Sequence, residues 1–140
     1  GVSICPAEYD AEMLAVLRTH CSAYVHGNSV GGTNPALLEA MATCPRILAI
    51  DSLFSEEVLG ENGALFDPLD IASGFRRITS VPDQGASMSQ RVRERYSWER
   101  VAAGYRNLLA GNPAAYDTTE DHSKPRSNVT LALQEHPSGQ

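Results

Sequence analysis

Gly31-Gly32-Thr33-Asn34-Pro35-Ala36-Leu37-Leu38-Glu39-Ala40-Met41 joins a glycine-rich turn to a capped helix that carries one carboxylate near its start. Asparagine is among the best N-cap residues. Proline suits the first helical position, where its missing N–H costs nothing and its φ is already set. The helix is therefore predicted to begin at Pro35. The amides of Ala36, Leu37 and Leu38 would point back into the turn, with the positive end of the helix dipole behind them, and so favour an anion. Glu39 lies about one turn deeper. There a carboxylate would repel a phosphate, but it can accept hydrogen bonds from the cis-diol of a ribose. Two readings fit these residues: the turn of a nucleotide-diphosphate site, or a generic buried α/β helix with Glu39 solvated.

Working outward, strands and helices alternate. Val2-Ser3-Ile4-Cys5 is a short β-rich run and reads as a first strand. Tyr9 to Cys21 carries Met13, Leu14, Val16 and Leu17 at helical spacing and opens near Asp10. Ala23-Tyr24-Val25 reads as a strand. Past the Pro35 to Thr43 helix, Ile47-Leu48-Ala49-Ile50 is a continuous apolar run of the kind buried on both faces of a parallel sheet. Ser55 to Leu59 reads as one helical turn, Ala64-Leu65-Phe66 as a last strand, and Leu69 to Ile78 as a helix with Ile71, Phe75 and Ile78 on one face. Met88 to Ala110 is helical, with Tyr96-Ser97-Trp98 as the place for a break; Tyr96 and Trp98 are assigned to packing. The pattern predicts an α/β fold with a partial, doubly wound, Rossmann-like parallel sheet over residues 1–111. Residues 112–140 are rich in Pro, Ser, Thr, Asn and Asp and poor in apolar residues, so they read as a disordered tail. The Asn128-Val129-Thr130 sequon in that tail is chemically idle in a cytoplasmic chain.

Composition narrows the function classes. The 140 residues are 42% hydrophobic, enough for one domain core. No apolar run approaches the ~20 residues of a membrane span. A net charge of -6 and the lack of a basic run argue against nucleic acid. Cys5, Cys21 and Cys44 are odd in number without CxxC spacing, so neither a disulfide framework nor a zinc site is expected, and a cytoplasmic location is the default. His20, Cys21 and His26 invite a metal reading. His20 and Cys21 would end a helix facing different sides while His26 leaves a strand, so no metal and no cofactor are expected.

Ala23-Tyr24-Val25-His26-Gly27, the Gly31 to Met41 segment, Phe54 to Phe66 and Arg95-Tyr96-Ser97-Trp98-Glu99 together resemble the donor half of retaining glycosyltransferases of the two-Rossmann (GT-B) architecture. The likeness is specifically to the rhamnosyltransferase-like branch. It spans roughly residues 1–110. Most of that superfamily carries a second glutamate eight positions before Glu39, where this chain has Gly31; the branch shares that departure. The resemblance implies that Gly31 and Gly32 let the backbone approach the donor diphosphate. Thr33, Asn34 and the amides of Ala36 and Leu37 would bind it, Glu39 would hold the ribose, and His26 and Gly27 would line the sugar side. For His26, closing a strand is an equal reading. For Glu57, a solvated loop acid is weighed against an approach to the site. No catalytic residue is identified.

In the whole enzyme, the resemblance implies transfer of a hexose or deoxyhexose, rhamnose among them, from a nucleoside-diphosphate sugar. The acceptor would be a polysaccharide or lipid-linked glycan bound by an N-terminal half that is not in this chain, in an enzyme peripheral to the membrane. The family's upstream strands and their cationic pair are also expected to be missing. Ten of the eleven basic residues are Arg, the sole Lys is Lys124, and none lies between positions 26 and 45. Two alternatives stand beside this reading: a non-catalytic nucleotide-sugar-binding module, and a nonfunctional truncated fragment.

Overall fold

The computed structural model describes residues 2–78 and 80–112, so the tail from residue 113 onward, with its sequon, lies outside the described residues. The elements run α1 (Ala11–His20), β1 (Tyr24–His26), α2 (Pro35–Thr43), β2 (Ile47–Ile50), α3 (Leu53–Leu59), β3 (Ala64–Phe66), α4 (Ile71–Ile78), α5 (Gly85–Arg95) and α6 (Trp98–Leu109). The three strands pair in parallel in the order β1-β2-β3, with Tyr24 opposite Ile47 and Ile50 opposite Phe66. The chain is a mixed α/β fold.

Strand alternation divides the core between the two faces of the sheet. Ile47 and Ala49 meet Leu37, Ala40, Met41 and Cys44 at α2, Val58 and Leu59 of α3, and Met88 of α5. Leu48 and Ile50 turn the other way and join Ala64 and Phe66, with Ile78 of α4 and Val81 packed against them. β2 is therefore buried on both sides, which is why it reads as an unbroken apolar run. Gly74 lets α4 lie close on β3: a Cβ there would stand 2.5 Å from the Phe66 Cβ.

Helix starts follow side-chain caps. Asp10 accepts from the Met13 amide at 2.9 Å, Asn34 from Ala36 at 2.9 Å, and Ser52 from Ser55 at 3.2 Å. The Ser52 cap extends α3 to seven residues, longer than the single turn expected. α5 begins at Gly85, three residues before the expected Met88, and the break before α6 falls at Tyr96-Ser97.

Other expectations fail. Val2 to Cys5 forms no strand and is exposed throughout, since β propensity without a pairing edge does not hold a strand. α1 forms as expected but buries no residue; Met13, Val16 and Leu17 remain about half exposed. Trp98 is 83% exposed, so its assignment to packing is wrong, whereas Tyr96 is half-buried. Ile71 and Phe75 stay half exposed while Ile78 alone of that face reaches the core.

Candidate functional site

A shallow cleft opens where β1 and β2 end. His26, Asn28, Val30, Gly31, Gly32 and Asn34 form one wall; Leu37 of α2 and Phe54, Ser55 and Val58 of α3 form the other. Its place follows from the topology. The loop that follows β1 and the start of α3, which follows β2, both lie beyond the carboxyl ends of their strands and meet there. The interior volume of the cleft is about 10 Å³, room for about one water molecule, against the roughly 300–1,000 Å³ of a complete small-molecule pocket, so a ligand would lie across its mouth. No side chain lining it carries a formal charge at neutral pH.

The glycine turn enters it as read. Gly31 has φ 116°, a conformation that side chains beyond glycine rarely adopt. Gly32 has ordinary φ and open space where a Cβ would stand.

The helix amides are more committed than the sequence suggested. The Asn34 side-chain oxygen already accepts from Ala36, and the Asn34 carbonyl accepts from Leu37 at 3.1 Å and from Leu38 at 3.2 Å. Among the described residues the amides of Gly31, Gly32 and Thr33 have no partner. Of these, Gly31 and Gly32 line the cleft, so an anion there would meet their amides first, and would share or displace the cap to reach the helix.

His26 and Ser55 are the buried polar residues of the cleft; His26, 6% exposed at the end of β1, has its ring stacked on Tyr24 at 6.1 Å. Burial pushes its pKa below the ordinary 6.5. The ring is therefore neutral at pH 7 and offers one donor and one acceptor.

Of the remaining expected residues, Gly27, Thr33 and Ala36 flank the cleft in sequence without lining it. Glu39 stands apart. Its carboxylate meets the Arg18 guanidinium of α1 at 2.8 Å, on the side of α2 away from the buried Leu37, Ala40 and Met41. Glu57 is exposed on α3 and outside the lining; its carbonyl accepts from Arg91 at 2.7 Å, which ties α5 to the end of α3. Sequence reading missed Asn28, Val30, Phe54, Ser55 and Val58. The Ser52-x-x-Ser55 cap was the available signal for Ser55, since it fixes where α3 begins.

Among the described residues no group of three His, Cys, Asp or Glu could hold a metal ion, and no helix is long and apolar enough to cross a membrane. No family model, curated protein or solved structure matches the chain.

Proposed function

We propose that this chain is the donor-binding part of a glycosyltransferase of Rossmann-like, GT-B type, and that the cleft takes the diphosphate of a nucleoside-diphosphate sugar. The observation that carries this reading is the placement of the glycine turn. Gly31 and Gly32, with unpartnered amides, line the cleft beyond the carboxyl end of β1, and Thr33, unpartnered as well, follows them into the amino end of α2. His26, neutral and buried beside them, would take a sugar hydroxyl. Glu39 would reach a ribose diol only by exchanging Arg18 for it. A glycan or lipid-linked acceptor and a cytoplasmic site of action follow from the same reading.

A binding module without catalysis is the second reading, favoured by one observation: the cleft lining holds neither an acid nor a cation. Transfer leaves negative charge on the departing diphosphate, and preorganised donors aimed at that charge are usually the largest catalytic contribution. Amides at an exposed helix end supply on the order of 0.3–1 kcal/mol per charge, at most about 3 kcal/mol for a diphosphate, so binding weaker than millimolar is expected.

Titration of the labelled chain with a nucleoside diphosphate, followed by amide resonances, tests both readings. Shifts confined to Gly31, Gly32, Thr33 and the His26 ring are expected. They should disappear in Gly32→Val, which has room to fold because nothing stands within 4 Å of the added Cβ. Absence of such shifts in the wild type, or their persistence in Gly32→Val, removes the diphosphate site. Release of nucleotide from a sugar donor by the chain would decide for catalysis against the binding module.

A further inference from the structure

Cys21 and Cys44 are 23 positions apart, yet their sulfurs lie 3.8 Å from each other. Each closes a helix: Cys21 is the C-cap of α1 and Cys44 the C-cap of α2. A disulfide needs the sulfurs at about 2.05 Å, so one side chain must advance by less than 2 Å. The side chain with more room to advance is Cys21, half-buried at the end of a helix that buries no residue, whereas Cys44 is fully buried. We propose that this pair is an oxidation site, and that a small peroxide converts it to a disulfide that closes β1, the glycine turn and α2 into one covalent ring.

The two thiols differ in the way the reaction requires. Cys21 is half-buried and reachable, its Sγ also 3.1 Å from the Arg18 carbonyl. Cys44 is fully buried, and burial together with the adjoining Cys21 pushes its thiol up to about 11. Attack therefore starts at Cys21. Its thiolate takes one oxygen of hydrogen peroxide; the O–O bond breaks, hydroxide leaves and gains a proton as water, and Cys21 becomes a sulfenic acid. The Cys44 sulfur then attacks the Cys21 sulfur. An S–S bond forms, the S–O bond breaks, and a second water departs with the Cys44 proton. The two thiols lose two electrons and the peroxide gains them.

The ring holds every candidate site residue from His26 to Glu39, so the crosslink would restrain the turn that forms the cleft. It is independent of what the cleft binds.

The test uses the full chain carrying Cys5→Ser, a change in an exposed segment outside any helix or strand that removes the third thiol. After hydrogen peroxide and denaturing alkylation with a maleimide, the expected product is a monomer two hydrogens lighter with no adduct. Reduction should restore two adducts, and digestion should show the Cys21 and Cys44 peptides linked. The oxidised form should melt higher by roughly 10 °C. A product with oxygens added at Cys21 while Cys44 still takes the maleimide overturns the proposal, as does a product crosslinked only between chains.

Discussion

α1 and α2 lie side by side and begin alike, each with an Asp or Asn side chain accepting a backbone amide at 2.9 Å. They are of nearly equal length, ten residues and nine. Yet α2 buries Leu37, Ala40 and Met41, and α1 buries nothing. The comparison separates what a cap does from what a core does. Capping decides where a helix starts; tertiary burial decides whether the fold depends on it.

The largest expected difference between the two helices comes from truncating an apolar side chain. Met41→Ala removes a fully buried side chain between the sheet and α5 and should cost about 2–5 kcal/mol. Leu17→Ala on α1 removes one that is 55% exposed and should stay within about 0.5 kcal/mol. Urea unfolding of the two variants measures the gap. A comparable loss for Leu17→Ala would mean that α1 is anchored as firmly as α2, and the comparison would fail.

The caps should differ less in local chemistry than in consequence. Asn34→Ala should lower global stability by about 1 kcal/mol, because α2 cannot fray without opening the core. Asp10→Ala should speed amide exchange in the first turn of α1 and leave the global transition unchanged. Asn34→Ala also frees the Ala36 amide, so nucleoside-diphosphate binding should not weaken as stability does; parallel losses would assign Asn34 a direct role at the ligand.

These effects mark what the sequence could convey. α2 was legible to the residue because Asn34 and Pro35 are local signals, and β2 because burial on both faces leaves no polar position in Ile47–Ile50. Val2 to Cys5 has the same composition signal as a strand, and only the missing partner decides against it. The stripe on α1 shows which face could pack, never whether anything packs there. At the site, the glycine turn and His26 were readable from order along the chain. The engagement of Glu39 by Arg18, the contact of Cys21 with Cys44 and the entry of Phe54 and Ser55 into the cleft arise only when separate elements meet.

pH sharpens the comparison from the α2 side. The folded His26 pKa lies below its unfolded value, so the unfolded chain takes up a proton first as pH falls. The contribution of neutral His26 is intact above about 6.5 and diminishes below it, until the folded ring protonates as well. His26→Gln, neutral throughout, should show a shallower loss of stability than wild type from pH 7 downward. Identical pH profiles would place the ring in contact with water rather than in the wall of the cleft.

The smallest expected effect joins the two helices. Arg18 is 16% exposed and Glu39 57% exposed in side chain, so water screens the pair on one side. A double-mutant cycle of Arg18→Ala and Glu39→Ala should give a coupling of about 0.2–1 kcal/mol that shrinks with added salt. Its value lies in what it does to the ligand. If Glu39 serves a ribose, Arg18 competes with the diol for one carboxylate. Arg18→Ala should then strengthen nucleoside-diphosphate binding, and Glu39→Ala should weaken it by up to the roughly 1.5–3 kcal/mol of hydrogen bonds to a charged group. If the carboxylate only joins α1 to α2, both variants should bind alike and differ in stability alone. Calorimetric titration of the four proteins of the cycle distinguishes these outcomes, and equal affinities would reduce Glu39 to a link between one helix that the fold needs and one that it does not.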